Sequence, residues 1–302
     1  MSKKNIILSI ILIVLVLFAW LWSGPFANWQ ISRSEEKNFL SGISPDLISK
    51  IEIDNGGATT TLEKFGALWK VGGTKDFYVN KDLAAALNTF LGEIGKKKLE
   101  VAGTSDAQKS SFATDGQGVK VKIEQPGRKF DFIVGKNTPD FLGSYFSPLS
   151  GGKTYRVDLD LSGIFDRTEW RDNVIFSFAA DQANKIRFQY PDRQFTVEKK
   201  DNKWSGTLPK AFSVNADKVS AVLGELDNLT AAKIPAQTFA GTGLEKHRII
   251  VEITGQDFDN TLMIGDCTKD NYCYAKRGDS DNIYLIAKAV RDALDKNISS
   301  LQ

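Results

Sequence analysis

Cys267 and Cys273 are the two cysteines of this 302-residue chain, and they frame the loop Thr268-Lys269-Asp270-Asn271-Tyr272 between two predicted strands. Such a pair has three fates: a hairpin-closing disulfide, two free buried thiols, or part of a metal or redox site. Outside the cytoplasm the disulfide is favoured, and for so short a loop chain-entropy arguments give about 2 kcal/mol. A zinc site wants about four Cys or His ligands, or three and a water. His247 is the single histidine, so the inventory is too poor and no metal is expected. With no nucleophile motif beside it, His247 reads as an ordinary surface or strand-edge residue rather than a base. Glu63-Lys64 and Glu198-Lys199 recur at equivalent positions and tempt one toward a charged site. Outward residues on an edge strand pair across strands anyway, and cross-strand ion pairing is the expected account. There is no Gly-x-Ser-x-Gly, phosphate-binding loop, dinucleotide fingerprint or His-Glu-x-x-His. Acidic residues abound, but sequence gives no separation from which to pick a glycosidase couple. No catalytic residue and no cofactor is assigned, and an enzyme is not expected.

The elements that would carry any site are written twice. Ile51-Glu52-Ile53, Leu62-Glu63-Lys64, Trp69, Asn80 and Ile94 reappear as Ile186-Arg187-Phe188, Val197-Glu198-Lys199, Trp204, Asn215 and Leu229, each displaced by 135 residues. Register held over five landmarks means a duplicated module. Ile51 and Ile53 alternate with polar neighbours, Asn55-Gly56-Gly57 turns, and Thr59 to Lys64 alternates again, which makes a hairpin. A short strand with Trp69 and Val71 follows. Asn80 suits a helix N-cap, and Leu83, Leu87, Phe90, Leu91 and Ile94 line one face before Gly95 and Lys96-Lys97-Lys98 end the helix. After a Ser/Ala/Asp-rich loop come strands at Val119–Ile123, Phe130–Gly135, Tyr145-Phe146 and Tyr155–Val157, then a short helix within Leu159–Phe165. The second copy repeats these, with the offset drifting to 130 at Ile249, Ile253 and Gly265 and to 129 at Tyr284. Trp69 and Trp204 are expected to plug the space between helix and hairpin as the structural core of each repeat. The fold class is α+β: two homologous modules, each a mostly antiparallel sheet packed on one amphipathic helix.

Ahead of them, Lys3-Lys4 precede an uncharged apolar run from Ile6 to Trp22. At 1.5 Å per residue this reaches roughly 26 Å, enough for a hydrocarbon core, and the positive-inside rule leaves the N-terminus cytoplasmic. A cleaved signal peptide shares the pattern, although the run is long for one and Pro25-Phe26-Ala27 is a poor cleavage site. The expected division is 1–25 transmembrane anchor, 26–45 juxtamembrane spacer, 46–170 module one and 171–302 module two. Basic and acidic residues nearly balance, 39 against 37, so no nucleic-acid partner is expected.

Asp46 to Ile53, Thr61 to Trp69 and Ile133-Val134-Gly135 in copy one, with Lys185-Ile186, Thr196 to Trp204, Gly243-Leu244 and Met263-Ile264-Gly265 in copy two, resemble the domain-of-unknown-function 4340 family. The Trp170-Arg171-Asp172 junction is also similar; Phe112 to Gly118 departs from the family's turn. The resemblance implies a bacterial envelope protein, with members often associated with ABC-type transport systems. The expected function is a membrane-anchored extracytoplasmic interaction module, held to the bilayer through Ile6–Trp22 and partnered by a membrane protein of an ABC-transporter-like assembly. The alternative is an envelope ligand-binding protein or cell-wall-acting enzyme with a site between the modules.

Overall fold

The computed structural model describes residues 38–73, 75–246 and 248–302. The apolar run Ile6–Trp22 lies outside them, as do most of the spacer and His247. Among the described residues no helix is long and apolar enough to cross a membrane.

The chain divides into two compact units. Unit 1 holds the residues up to Trp69 together with Asp82–Glu169, and unit 2 holds Lys70–Lys81 together with Trp170–Gln302. The transfer of Lys70–Lys81 out of the first copy is not visible in the residue pattern.

Unit 1 begins with β1 (Lys50–Asp54) and β2 (Thr59–Phe65), whose hairpin turns on Gly56 at φ +80°. β3 (Leu68–Val71) continues the sheet, with its residues from Lys70 assigned to unit 2. Helix α1 (Lys81–Ile94) buries Ala84, Leu87, Phe90, Leu91 and Ile94; Leu83, expected on that face, is half-buried. There follow β4 (Glu100–Gly103), α2 (Asp106–Phe112), β5 (Val119–Gln125), β6 (Arg128–Asn137), β7 (Ser144–Pro148), β8 (Thr154–Val157) and α3 (Leu161–Phe165). The sheet order is β3-β2-β1-β5-β6-β7-β8-β4. Short hairpins and a period-two pattern with one apolar face favour this antiparallel arrangement. Phe90 and Phe132 meet Phe165 edge-on at 5.5 and 5.9 Å, and Phe132 meets Phe146 in the same way at 6.2 Å.

Unit 2 runs β9 (Ala183–Gln189), β10 (Gln194–Lys200), β11 (Lys203–Leu208), α4 (Ala216–Leu226), β12 (Ile249–Gly255), β13 (Asp259–Cys267), β14 (Tyr272–Arg277), β15 (Tyr284–Ala287), α5 (Lys288–Leu294) and α6 (Ile298–Leu301). Its order, β11-β10-β9-β12-β13-β14-β15, is that of unit 1 without the last strand. The register repeats too. Ile51 faces Leu62 on one side and Ile123 on the other; Ile186 faces Val197 and Ile253. All six are within 1% of complete burial.

Two boundaries move. The repeat starts before residue 46, because Asn38 and Asn173, again 135 apart, do one job. Asn38 Nδ2 donates to Ile94 O and Lys97 O at 2.7 and 2.9 Å, tying the chain to carbonyls that end α1, and Asn173 Nδ2 donates to Ala231 O at 3.2 Å. Leu40 and Ile175 beside them are both fully buried. The end of the expected spacer is therefore part of module one. The Ser/Ala/Asp-rich loop is also ordered as β4 and α2, and α2 begins on a capping box in which Ser105 and Gln108 satisfy each other's backbone.

Candidate functional site

The expected core tryptophans differ. Trp69 is fully buried, and its Nε1 donates to Asn88 Oδ1 on α1 at 3.0 Å. Lys64 Nζ sits 4.6 Å from the ring centroid and donates to the same Asn88 oxygen. Trp204 is only half-buried, which corrects its placement as a core residue. The residue 135 after Asn88 is Leu223, which offers the indole no acceptor. Lys199, the counterpart of Lys64, donates to Asp181 O instead. The edge-strand placement of the recurring Glu-Lys pairs is corrected likewise: β2 and β10 lie second from the sheet edge, with Glu63 opposite Lys50 and Glu198 opposite Lys185 across the strands, while Lys64 and Lys199 engage Asn88 and a backbone carbonyl.

Cys267 and Cys273 face each other across β13 and β14 and form a disulfide. Copy one fills the matching positions with Asn137 and Ser144, also paired across β6 and β7, and Ser144 Oγ donates to Asn137 Oδ1 at 3.0 Å. One cross-strand position is thus closed by a hydrogen bond in one copy and covalently in the other. Reduction should cost unit 2 about 2 kcal/mol and leave unit 1 unchanged. Thermal unfolding with and without reductant checks this, and Cys267→Asn with Cys273→Ser should melt close to the reduced chain.

Among the described residues no group of three His, Cys, Asp or Glu could hold a metal ion. A polar seat lies in unit 2, around a segment that the sequence reading passed over. Lys75-Asp76-Phe77-Tyr78-Val79-Asn80 recurs 135 residues later as Lys210-Ala211-Phe212-Ser213-Val214-Asn215, so Lys-x-Phe-x-Val-Asn belongs to the repeat. The first hexad pairs with the head of copy two: Val79 bridges Arg171, and Asp172 N donates to Tyr78 O at 2.7 Å. Phe77, 2% exposed, meets Tyr284 edge-on at 5.8 Å and lies 5.3 Å from the Arg171 guanidinium. Lys75 Nζ donates to Asp281 O at 3.0 Å and stands 4.5 Å from the Phe239 ring; Asn282 Nδ2 donates to Asp76 O at 3.1 Å.

Beside the hexad is a pocket of 220 Å³ lined by Tyr78, Asp172, Arg277, Asp279, Asn282 and Tyr284, among others. Arg277 closes a fork on Asp279 at 2.8 and 2.6 Å, which holds that carboxyl below its ordinary range and the guanidinium above its own. Burial pushes the Tyr284 hydroxyl up. The guanidinium already has its carboxylate, and these lining groups form no nucleophile-and-base couple. The arrangement holds the Lys75–Asn80 segment in place.

Elsewhere in unit 2, Tyr190 accepts from Lys296 N at 2.7 Å under the Arg193 guanidinium, and burial raises it from 10.0 to about 12. The folded chain keeps this proton where an unfolded tyrosine loses it, so the stabilisation is complete below pH 10 and fades as pH climbs to about 12. Discounted for solvent screening, the loss should be about 1–2 kcal/mol, and Tyr190→Phe should flatten that limb of a stability-versus-pH curve.

A family model described as "Domain of unknown function (DUF4340)" matches residues 69–240 and, a second time, residues 204–302. The chain belongs to the DUF4340 family. The two matches begin on Trp69 and Trp204, so the DUF4340 pattern itself is read twice, at the spacing of the duplication. Gly135 and Gly265, which close the DUF4340-like strands, have a structural cause: a Cβ on Gly265 would meet Gly243 C and Leu244 N at 3.0 Å, and one on Gly135 would meet Thr114 Cγ2 at 2.8 Å. Compared with curated proteins and with solved structures, this DUF4340 chain matches none.

Proposed function

We propose that the chain is a membrane-anchored extracytoplasmic interaction module, an accessory of a membrane assembly of the ABC-transporter kind. The observation that carries the reading is the apolar run Ile6–Trp22 behind Lys3-Lys4, long enough to span a bilayer and oriented by its lysines. The Cys267–Cys273 disulfide supports it, since such bridges persist in oxidising compartments. The duplicated sheets, with a seat that grips an extended segment, suit binding to other polypeptides. The ABC-type partner is the expectation attached to the family and is the part of the proposal most exposed to test.

Alkaline extraction of membranes should leave the chain in the pellet, and protease added outside intact cells should cut the two units. Extraction into the supernatant, or protection of both units, would overturn the anchor and its orientation. Purification through a tagged chain in mild detergent should bring down membrane-embedded subunits, and their absence would remove the assembly from the proposal.

A further inference from the structure

Unit 1 receives the chain from the apolar run Ile6–Trp22 at one end of its sheet. Asn38 follows Trp22 by 16 residues, a reach of at most about 55 Å even when fully extended. Asn38 ties itself to the carbonyls that end α1, Arg128 Nη2 donates to Ser41 O at 3.1 Å, and Gln125 Nε2 donates to Gly42 O at 2.9 Å. Ser49 N donates to Glu124 O and Lys64 N donates to Ser49 O, both at 2.9 Å. The entry segment, the C-terminal end of α1, the β5–β6 turn and the β2–β3 turn therefore share one end of the unit.

That end exposes apolar side chains. Leu47, Phe65 and Leu68 are 54%, 67% and 52% exposed, and Phe65 and Leu68 flank the two-residue turn Gly66-Ala67. Copy two builds the same strand order with Gln182, Lys200 and Lys203 at these three positions, so the fold does not need apolar side chains there. Asp46 and Glu63, next to Leu47 and near Phe65 in sequence, recur as Asp181 and Glu198 and belong to the shared framework. Cations join the apolar residues in copy one alone. Lys96 and Lys97 follow α1 where copy two has Ala231 and Ala232, and Arg128 and Lys129 open β6 where copy two has Phe258 and Asp259. Phe258 makes no equivalent patch, because it is half-buried with its ring 4.7 Å from that of Phe178. Lys129 is paired with Glu124 at 2.7 Å, and Glu93 in the last turn of α1 offsets one further charge. Lys96, Lys97 and Arg128 hold no carboxylate in an ion pair among the described residues.

We propose that this end of unit 1 rests on an anionic bilayer surface, that of the membrane its own N-terminal run crosses. Leu47, Phe65 and Leu68 enter the boundary between headgroups and acyl chains, and Lys96, Lys97 and Arg128 lie against lipid phosphates. Apolar side chains ringed by cations are the pairing that interfacial binding uses, buried apolar area adding to attraction for anionic lipid. The short tether makes the contact intramolecular, so three apolar side chains, too few to hold a free protein on a membrane, suffice to hold this one down. A polypeptide partner would account for the apolar residues but not for their place beside the entry of the chain. The inference rests on the membrane-anchor reading and adds to it which end of unit 1 faces the lipid.

Both native cysteines are held in the disulfide, so one added cysteine takes one environment-sensitive dye. Ala67→Cys places it in the turn between Phe65 and Leu68, and Lys203→Cys, at the counterpart of Leu68, is the reference. The full chain is reconstituted into phosphatidylcholine–phosphatidylglycerol vesicles whose acyl chains carry bromine as a quencher. The dye at 67 should emit to the blue of the dye at 203 and be quenched several times more strongly. Vesicles of phosphatidylcholine alone should lose part of that excess. Phe65→Lys with Leu68→Lys, the residues of copy two, should bring the signal at 67 down to the reference while the chain melts as before. Failure of the chain to float with the vesicles overturns the anchor reading and this proposal with it. A chain that floats with its two dyes quenched equally overturns this proposal alone and leaves the apolar end to a polypeptide partner. An excess that survives the two lysines, or that ignores phosphatidylglycerol, overturns it as well.

Discussion

Trp69→Ala should lower the stability of unit 1 by about 3–5 kcal/mol, the range for deleting a large aromatic side chain from a closed core. Trp69 is fully buried and held by Asn88 and Lys64, so the cavity left behind has little to collapse into it. Trp204→Ala removes the matching residue of the other copy and should cost only about 1–2 kcal/mol, since that ring is half-buried where Trp69 is closed off from solvent. Asn88→Leu, which installs the copy-two residue, should cost about 1–3 kcal/mol by leaving a buried indole N–H without its acceptor. Urea unfolding checks the order of the three variants, with the two units followed separately because a chain of two units need not melt as one.

Phe77→Ala should destabilise unit 2 by about 3–5 kcal/mol, although Phe77 belongs to the sequence of copy one. The ring is 2% exposed, and around it Tyr284, Arg171 and the Asn282 hydrogen bond all come from the sequence of copy two. Phe212→Ala deletes a half-buried ring at the equivalent position and should cost about 1–2 kcal/mol. Denaturant curves of the two variants compare them directly. A loss at Phe77 confined to unit 1 would place the hexad with the wrong body.

Much of the fold is legible because its core obeys simple periods. Ile51, Leu62 and Ile123 alternate with polar neighbours, and the strand register follows from keeping all three on one face. The α1 face follows from Leu87, Phe90, Leu91 and Ile94 in the same way. The duplication is legible because Ile186, Val197 and Ile253 restate that pattern. Helix α2 was within reach, since Ser105 and Gln108 have the spacing of a capping box. The start of module one was within reach too, through Asn38 and Asn173.

What stays hidden depends on partners distant in the chain. Trp204 looks like Trp69 until position 223 is found to hold Leu in place of Asn88. Lys64 and Lys199 look like strand-edge ion-pair formers until their acceptors are seen. The hexad carries a readable repeat, but nothing in Lys75–Asn80 says that its aromatic ring meets Tyr284 rather than the core of its own module. The Cys267–Cys273 pair is open among several fates in the sequence, and its meaning sharpens only beside the Ser144–Asn137 hydrogen bond of the other copy.

Hydrogen exchange on the unaltered chain across a denaturant series tests the account most directly, because segments that belong to one cooperative body lose protection together. The peptide covering 71–80 should collapse in step with peptides from β12 to β15. Collapse in step with β5 to β8 would contradict the account, returning the hexad to the first body.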